Sequence, residues 1–187
     1  MKCSALVLYW SGTGNTRSVA EAIHAALESR GIDSRLVKIA ENLEIDAFGP
    51  NLVFLGAPVY GNLGPKPVMR FLEKLRDGSP VLAAAPEQPG HYAVVFCTYG
   101  GGHTGVDEAV PFLKYMGQVF AHHGVRVVEE WPVAGEFKGV KDPDYNASGR
   151  LGSVVGRPDQ RDLDEVSGRV AGLLRRLQHL LGIESLL

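Results

Sequence analysis

The chain has 187 residues, of which 45% are hydrophobic, and its formal net charge at pH 7 is −2. This is enough apolar material for one sizeable core, so we expect a single domain over residues 1–187. The near-neutral charge argues against a nucleic-acid-binding protein. The N-terminal apolar run Ala5–Trp10 is too short for a membrane span or a signal peptide. The two cysteines, Cys3 and Cys97, are too few for a disulfide scaffold or an iron–sulfur cluster, and a reducing cytoplasmic setting is the simplest expectation.

Short apolar runs alternate with helical patterns, which is typical of parallel strands joined by crossover helices. The predicted strands are Cys3–Tyr9, Arg35–Ile39, Leu52–Ala57, Tyr92–Cys97 and Val125–Glu129. The first, third and fourth are continuously apolar, as central strands should be, whereas charges in the other two favour edge positions. The predicted helices lie around Val19–Leu27, Pro65–Leu75, Glu108–His123 and Leu163–Leu180. These elements fit a doubly wound α/β sheet of five parallel strands in the order 2-1-3-4-5, which binds ligands at the carboxyl ends of its strands.

The loop after the first strand has the composition of an anion site. Its sequence, Ser11-Gly12-Thr13-Gly14-Asn15-Thr16, contains three hydroxyls, two glycines and no lysine, and it opens a helix. Unpaired N–H groups and the positive end of the helix dipole favour an anion at such a position. We therefore predict a cradle for a phosphate monoester; the alternative is an ordinary N-cap with a tight turn.

This loop resembles the FMN-phosphate loop of the flavodoxins, which reads Thr/Ser-x-Thr-Gly-x-Thr, and residues 11–16 match it position by position. The loops after strands three and four resemble, in order and spacing, the two flavin-ring loops of that family. Their residues are Pro58, Val59, Tyr60, Gly61 and Asn62 in one, and Thr98, Tyr99, Gly100, Gly101, Gly102 and His103 in the other. The resemblance extends to about residue 129, and it implies a flavodoxin-like fold with FMN as the cofactor.

The resemblance also implies roles within the ring loops. Tyr60 and Tyr99 would flank the flavin ring, with packing inside the protein as the alternative for each, and the amides of residues 98–102 would meet its pyrimidine end. Flavodoxins often carry an aromatic slightly further along the second loop, where this chain has Gly101 and Gly102. We therefore expect one flavin face to be less covered than usual.

A second motif allows a different interpretation. Residues 100–105 satisfy G-x-G-x-x-G between a strand and a helix, and Glu129 and Glu130 lie about where a dinucleotide ribose would want an acid. Against a dinucleotide site, a phosphate signature already follows the first strand. That loop itself lacks both the third glycine of the dinucleotide fingerprint and the lysine of a P-loop.

About thirty residues, 131–160, separate the last predicted strand from the last helix, and their glycines and prolines predict a long loop. A lid or partner-docking role and a structural role beside the edge strand both stay open. The stretch 156–159 resembles flavodoxin-like modules that are fused to ferredoxins. Since this chain lacks the cluster cysteines, any iron–sulfur partner would be a separate protein.

The resemblance implies an electron-transfer flavoprotein that shuttles electrons between redox proteins such as ferredoxin-like donors or reductases. Flavodoxins are usually strongly acidic, and this chain is nearly neutral, which favours an alternative. That alternative is an FMN-dependent NAD(P)H oxidoreductase acting on quinones or other small acceptors; a module that binds no flavin is a third possibility. We predict no metal site and no catalytic side chain, because the chemistry would belong to the cofactor.

Overall fold

The chain folds around one parallel sheet of five strands. A computed structural model describes residues 3–78, 87–140, 142 and 144–181. The strands are β1 (Ser4–Tyr9), β2 (Asp33–Lys38), β3 (Leu52–Pro58), β4 (Tyr92–Tyr99) and β5 (Arg126–Ala134). Their order, β2-β1-β3-β4-β5, confirms the predicted topology. Strands β1, β3 and β4 are buried along nearly their whole length, whereas the edge strands β2 and β5 carry the exposed charged residues.

Helices cover both faces of the sheet. Helices α1 (Asn15–Glu28) and α4 (Gln160–Leu181) pack on one face, and α2 (Lys66–Asp77) and α3 (Val110–His122) pack on the other. The chain therefore leaves β1 toward one face and leaves β3, its neighbour in the sheet, toward the other. This divergence opens a crevice at the carboxyl edge of the sheet, between the loops that follow the two strands.

Several element boundaries differ from the sequence prediction: β2 begins two residues earlier, at Asp33, β4 extends two residues further, to Tyr99, and β5 and α3 change as follows. Strand β5 continues to Ala134, five residues beyond Glu129, because Trp131 and Val133 pack into the core and an edge strand tolerates Pro132. The predicted helix starting at Glu108 begins only at Val110, after a short 3₁₀ turn over Gly105–Glu108. The segment between β5 and α4 is consequently residues 135–159 and not 131–160; we call it the β5–α4 segment.

The β5–α4 segment is tied to α4 at its end. The N–H of Asp162 donates to the carboxylate of Asp159 at 3.1 Å, and the N–H of Asp159 donates back to Asp162 at 2.9 Å. This reciprocal pair is a capping box, which satisfies donors that a helix start leaves unpaired. The guanidinium of Arg157 also donates to Asp162 at 2.9 Å, and this hydrogen bond lowers the pKa of the Asp162 carboxyl.

Among the described residues, no helix is both long and apolar enough to cross a membrane.

Candidate functional site

The loops that follow β1, β3 and β4 border a single cleft of about 690 Å³ at the carboxyl edge of the sheet. The sequence-predicted residues that line it are Ser11, Gly12, Thr13, Asn15, Thr16, Pro58, Val59, Tyr60, Gly61, Asn62, Thr98, Tyr99, Gly100 and His103. Three predicted glycines, Gly14, Gly101 and Gly102, do not line it. The remaining residues of the cleft were not among the predicted binding residues; they are Thr104, Glu108, Gly135, Glu136, Phe137, Gly139 and Tyr145.

The first turn of α1, which follows the loop from Ser11 to Gly14, has unpaired backbone donors beside this cleft. Gly14 adopts φ +107°, which a residue with a side chain rarely adopts, and it serves as the N-cap of α1 without a side-chain cap. Among the described residues, none accepts a hydrogen bond from the N–H groups of residues 15–17 in the first turn. The Ser11 hydroxyl accepts the N–H of Gly14 at 3.1 Å, so its own hydrogen stays available to an acceptor. Such a helix start is suited to an anion.

Two side chains that the sequence grouped with this anion loop bind other parts of the protein. The hydroxyls of Thr16 and Thr98, 1% and 3% exposed, form a hydrogen bond of 2.7 Å that joins α1 to β4. This pair holds two hydrogens and uses one, so a single donor remains for a ligand. The Asn15 side chain donates to the carbonyl of Glu136 at 2.8 Å and thereby fixes the β5–α4 segment to the anion loop.

The loop after β3 forms a tight turn that ends the cleft on one side. Tyr60 and Leu63 exchange backbone hydrogen bonds of 2.7 and 3.2 Å, and Gly61 and Asn62 between them have φ of +58° and +65°. Two consecutive positive φ values are the mark of a type I′ turn, which favours Gly and Asn.

The Tyr60 ring projects from this turn and is 38% exposed. It contacts Trp10 edge-on, with ring centroids 6.3 Å apart. A Cβ at Gly12 would lie 3.1 Å from the Tyr60 hydroxyl, so this glycine allows the ring to lie against the anion loop. Partial burial raises the pKa of the Tyr60 hydroxyl, which keeps it a donor at neutral pH.

Tyr99 and His103 occupy different environments in the loop after β4. Tyr99 is 8% exposed and belongs to the core, so it offers the cleft little ring surface, in keeping with the packing alternative. The backbone N–H groups of His103 and Thr104 both donate to the carboxylate of Glu108, at 2.7 and 3.0 Å. That carboxylate lines the cleft and places a negative charge there.

The β5–α4 segment, which was predicted from sequence only as a long loop, contributes part of the cleft. Its rings Phe137 and Tyr145 line the cleft together with Gly135, Glu136 and Gly139. Because β5 is parallel to the other strands, its carboxyl end lies at the same edge as theirs. The signal was therefore present: aromatic residues in a segment that leaves the binding edge of a parallel sheet.

The acids that a dinucleotide site would require are used elsewhere. Glu129 accepts the indole N–H of Trp131 and pairs with Arg176, and Glu130 pairs with Lys114 at 3.0 Å. Neither glutamate lines the cleft. Within the part of the chain that the structure describes, no group of three His, Cys, Asp or Glu residues is placed to hold a metal ion.

The family model and the curated relative that match this chain are both described as flavodoxins. A family model described as Flavodoxin matches residues 7–143. A flavodoxin from Megasphaera elsdenii is 31% identical over 99 residues, which cover 51% of this chain and 65% of that relative; the match therefore spans less than two thirds of the relative's length.

Solved structures share the fold. Oxidised flavodoxin 2 from Bacillus cereus is similar with a TM-score of 0.64 and 18% identity, covering 93% of this chain and 99% of that one. The flavodoxin, WrbA-like protein from Agrobacterium tumefaciens is similar with a TM-score of 0.59 and 17% identity, covering 93% and 98%. At such identities the likeness is one of fold alone.

Proposed function

The chain belongs to the flavodoxin family, whose members bind FMN and transfer electrons, and we propose that it binds FMN in the cleft and carries electrons between redox proteins. One observation carries the proposal: an anion site and a set of exposed aromatic rings share a single cleft. A phosphate monoester joined to a planar ring system has both features that this cleft would recognise.

The phosphate end is supported by the donors at the start of α1. These donors are the free N–H groups of residues 15–17, the hydroxyls of Ser11 and Thr13, and the one hydrogen of the Thr16–Thr98 pair that the pair itself does not use. No lysine or arginine lines the cleft, so the backbone and hydroxyls would hold the anion. This donor set suits a single terminal phosphate, because in the glycine-rich loop after β4 the N–H groups of His103 and Thr104 already donate to the Glu108 carboxylate.

The ring end is supported by exposed aromatic surface. Tyr60 and Phe137, which are 38% and 39% exposed, stand at the cleft and gain from being covered by a planar ligand. Bound FMN supplies the redox chemistry. The residues of this chain would bind it, orient it and limit its contact with water.

The near-neutral charge supports a second candidate, an FMN-dependent NAD(P)H oxidoreductase that reduces quinones or other small acceptors. A net charge of −2 gives little long-range attraction toward basic protein partners. The binding of small, uncharged acceptors does not depend on such long-range attraction.

A two-step titration of the FMN-loaded protein separates the candidates. Absorption spectra are recorded during anaerobic addition of dithionite and, on a second sample, of NADPH. An electron carrier should show a distinct one-electron spectrum with dithionite and no reduction by NADPH within minutes. Rapid two-electron reduction by NADPH followed by reoxidation with a quinone would instead establish the enzyme. Failure to bind FMN at all would refute both.

A further inference from the structure

We propose that the β5–α4 segment supplies the second aromatic wall of the cleft, in which Phe137 and Tyr145 contact the ring system of the ligand and Asn146 positions the backbone of Phe137. The inference rests on the proposed function, since the planar ligand is taken to be a flavin. It assigns ring contacts to a segment that follows the last strand, outside the three loops that the sequence pattern identified.

The β5–α4 segment lies directly on the loop after β4. The N–H of Gly135 donates to the carbonyl of Tyr99 at 2.9 Å, and the N–H of Arg150 donates to the carbonyl of Gly102 at 3.0 Å. A Cβ at Gly149 would come within 2.9 Å of the Gly102 Cα. The two stretches of backbone therefore touch, and glycines at their contact make this possible.

This packing removes the room for side chains on the β4 loop itself. A Cβ at Gly101 would lie 2.4 Å from a Leu151 methyl, and φ of +64° disfavours any side chain there. A Cβ at Gly102 would lie 3.2 Å from the Tyr145 ring. The β5–α4 segment thus fills the space that side chains at residues 101 and 102 would need. At these two positions the ring surface beside the cleft comes from the segment, through Tyr145.

Phe137 and Tyr145 of the segment connect the rings of the two neighbouring loops into one series. The Phe137 centroid lies 6.4 Å from that of Tyr60 and 5.9 Å from that of Tyr145, and His103 lies 5.9 Å beyond Tyr145. All four residues line the cleft. The aromatic lining therefore runs from the turn after β3, across the β5–α4 segment, to the loop after β4.

Asn146 holds the backbone of the wall in place. Its side chain is buried and forms two hydrogen bonds with one residue, accepting the N–H of Phe137 at 2.9 Å and donating to the Phe137 carbonyl at 3.2 Å. On the preceding residue, the carbonyl of Glu136 accepts the Asn15 side chain at 2.8 Å. The backbone that carries the Phe137 ring is thus fixed both within the segment and to the anion loop.

The wall is tested with Phe137→Leu and Tyr145→Leu, which keep an apolar side chain and remove the ring. Phe48→Leu is the matched control, because the Phe48 ring packs on Phe120 and His123 and does not line the cleft. Dissociation constants are measured for FMN and for riboflavin, together with the fluorescence and visible circular dichroism of the bound flavin. Each wall variant should bind both flavins about 2- to 10-fold more weakly and should quench flavin fluorescence less, while the control matches wild type.

The positioning role of Asn146 is tested by combining its substitution with Phe137→Leu. Asn146→Ala should reduce affinity and change the flavin dichroism, and its effect on affinity should largely disappear in the Phe137→Leu background. If Asn146→Ala does not fold, Asn146→Asp preserves the acceptor for the Phe137 N–H and takes its place. Full additivity of the two changes would overturn the positioning role.

The outcomes separate this inference from the proposed function. Wild-type binding of FMN with unchanged affinity and spectra in both wall variants would overturn the wall and leave the proposed function standing. Absence of FMN and riboflavin binding by the wild type would overturn both.

Discussion

Replacing Thr13 with alanine should weaken the binding of FMN and leave the binding of riboflavin unchanged. Thr13 is exposed at the anion loop, and no described residue shares a hydrogen bond with its side chain, so the change should cost the fold little. A hydrogen bond to a charged oxygen contributes about 1.5–3 kcal/mol. Since each 1.4 kcal/mol is a factor of ten, the FMN dissociation constant should rise roughly 10- to 150-fold.

Two further variants sharpen this test. Thr104→Ala removes another exposed threonine of the cleft, outside the anion loop, and should not discriminate between the two flavins. Thr16→Val breaks the buried hydroxyl pair with Thr98 and should also destabilise the fold by about 1–3 kcal/mol. Calorimetric titration with both flavins gives the dissociation constants. Thermal melts of each apoprotein give the change in fold stability. Equal losses for FMN and riboflavin in Thr13→Ala, or no loss for either, would refute the phosphate site.

Three other changes have expected outcomes that follow from the structure. Gly61→Ala places a side chain at φ +58° and should lower the free energy of unfolding by roughly 1 kcal/mol in urea melts, whereas Asn62→Gly should be close to neutral; similar losses in both would contradict the turn assignment. The lowered pKa of Asp162 stabilises the fold above the carboxyl's ordinary pKa of 3.8, and this contribution is lost as pH falls through the folded value. Asp162→Asn should therefore be less stable than wild type at pH 7, by roughly 1–3 kcal/mol, and the difference should narrow as the pH falls below 3.8; a difference independent of pH would disprove the linkage. Glu108→Gln removes a negative charge from the cleft and should raise the reduction potential of the bound flavin by roughly 40 mV, corresponding to about 1 kcal/mol per electron; potentiometry showing no change would place that charge too far away to act.

Most of the fold was predictable because its signals are local. Continuous apolar runs at Leu6, Val53 and Val94 marked the central strands, and Arg35, Lys38 and Arg126 marked the edges. Once the strands are known to be parallel, their carboxyl ends must share an edge, so the three loops were expected to meet, and they do. The strand whose end was misplaced furthest, β5, continues through Pro132, a residue that usually interrupts a strand.

The parts of the site that could not be predicted from the sequence depend on contacts between residues that are distant in the chain. Nothing near Thr16 shows that its hydroxyl pairs with Thr98, 82 positions away. Likewise Gly101 and Gly102 indicated an uncovered side of the cleft until Tyr145 and Leu151 were found in that space. A glycine in sequence shows only that a side chain is missing. Only the structure shows which other side chain occupies the space beside the glycine.

The identity and stoichiometry of the flavin that the protein retains test whether this cleft holds FMN. The purified protein is reconstituted with an equimolar mixture of FMN, FAD and riboflavin, freed of excess, and denatured, and the released cofactor is identified by mass spectrometry. The free N–H groups of residues 15–17 and the single anion loop predict FMN, close to one per chain, with little FAD or riboflavin. Retention of FAD alone, of FMN and riboflavin in equal amounts, or of no flavin would contradict the account.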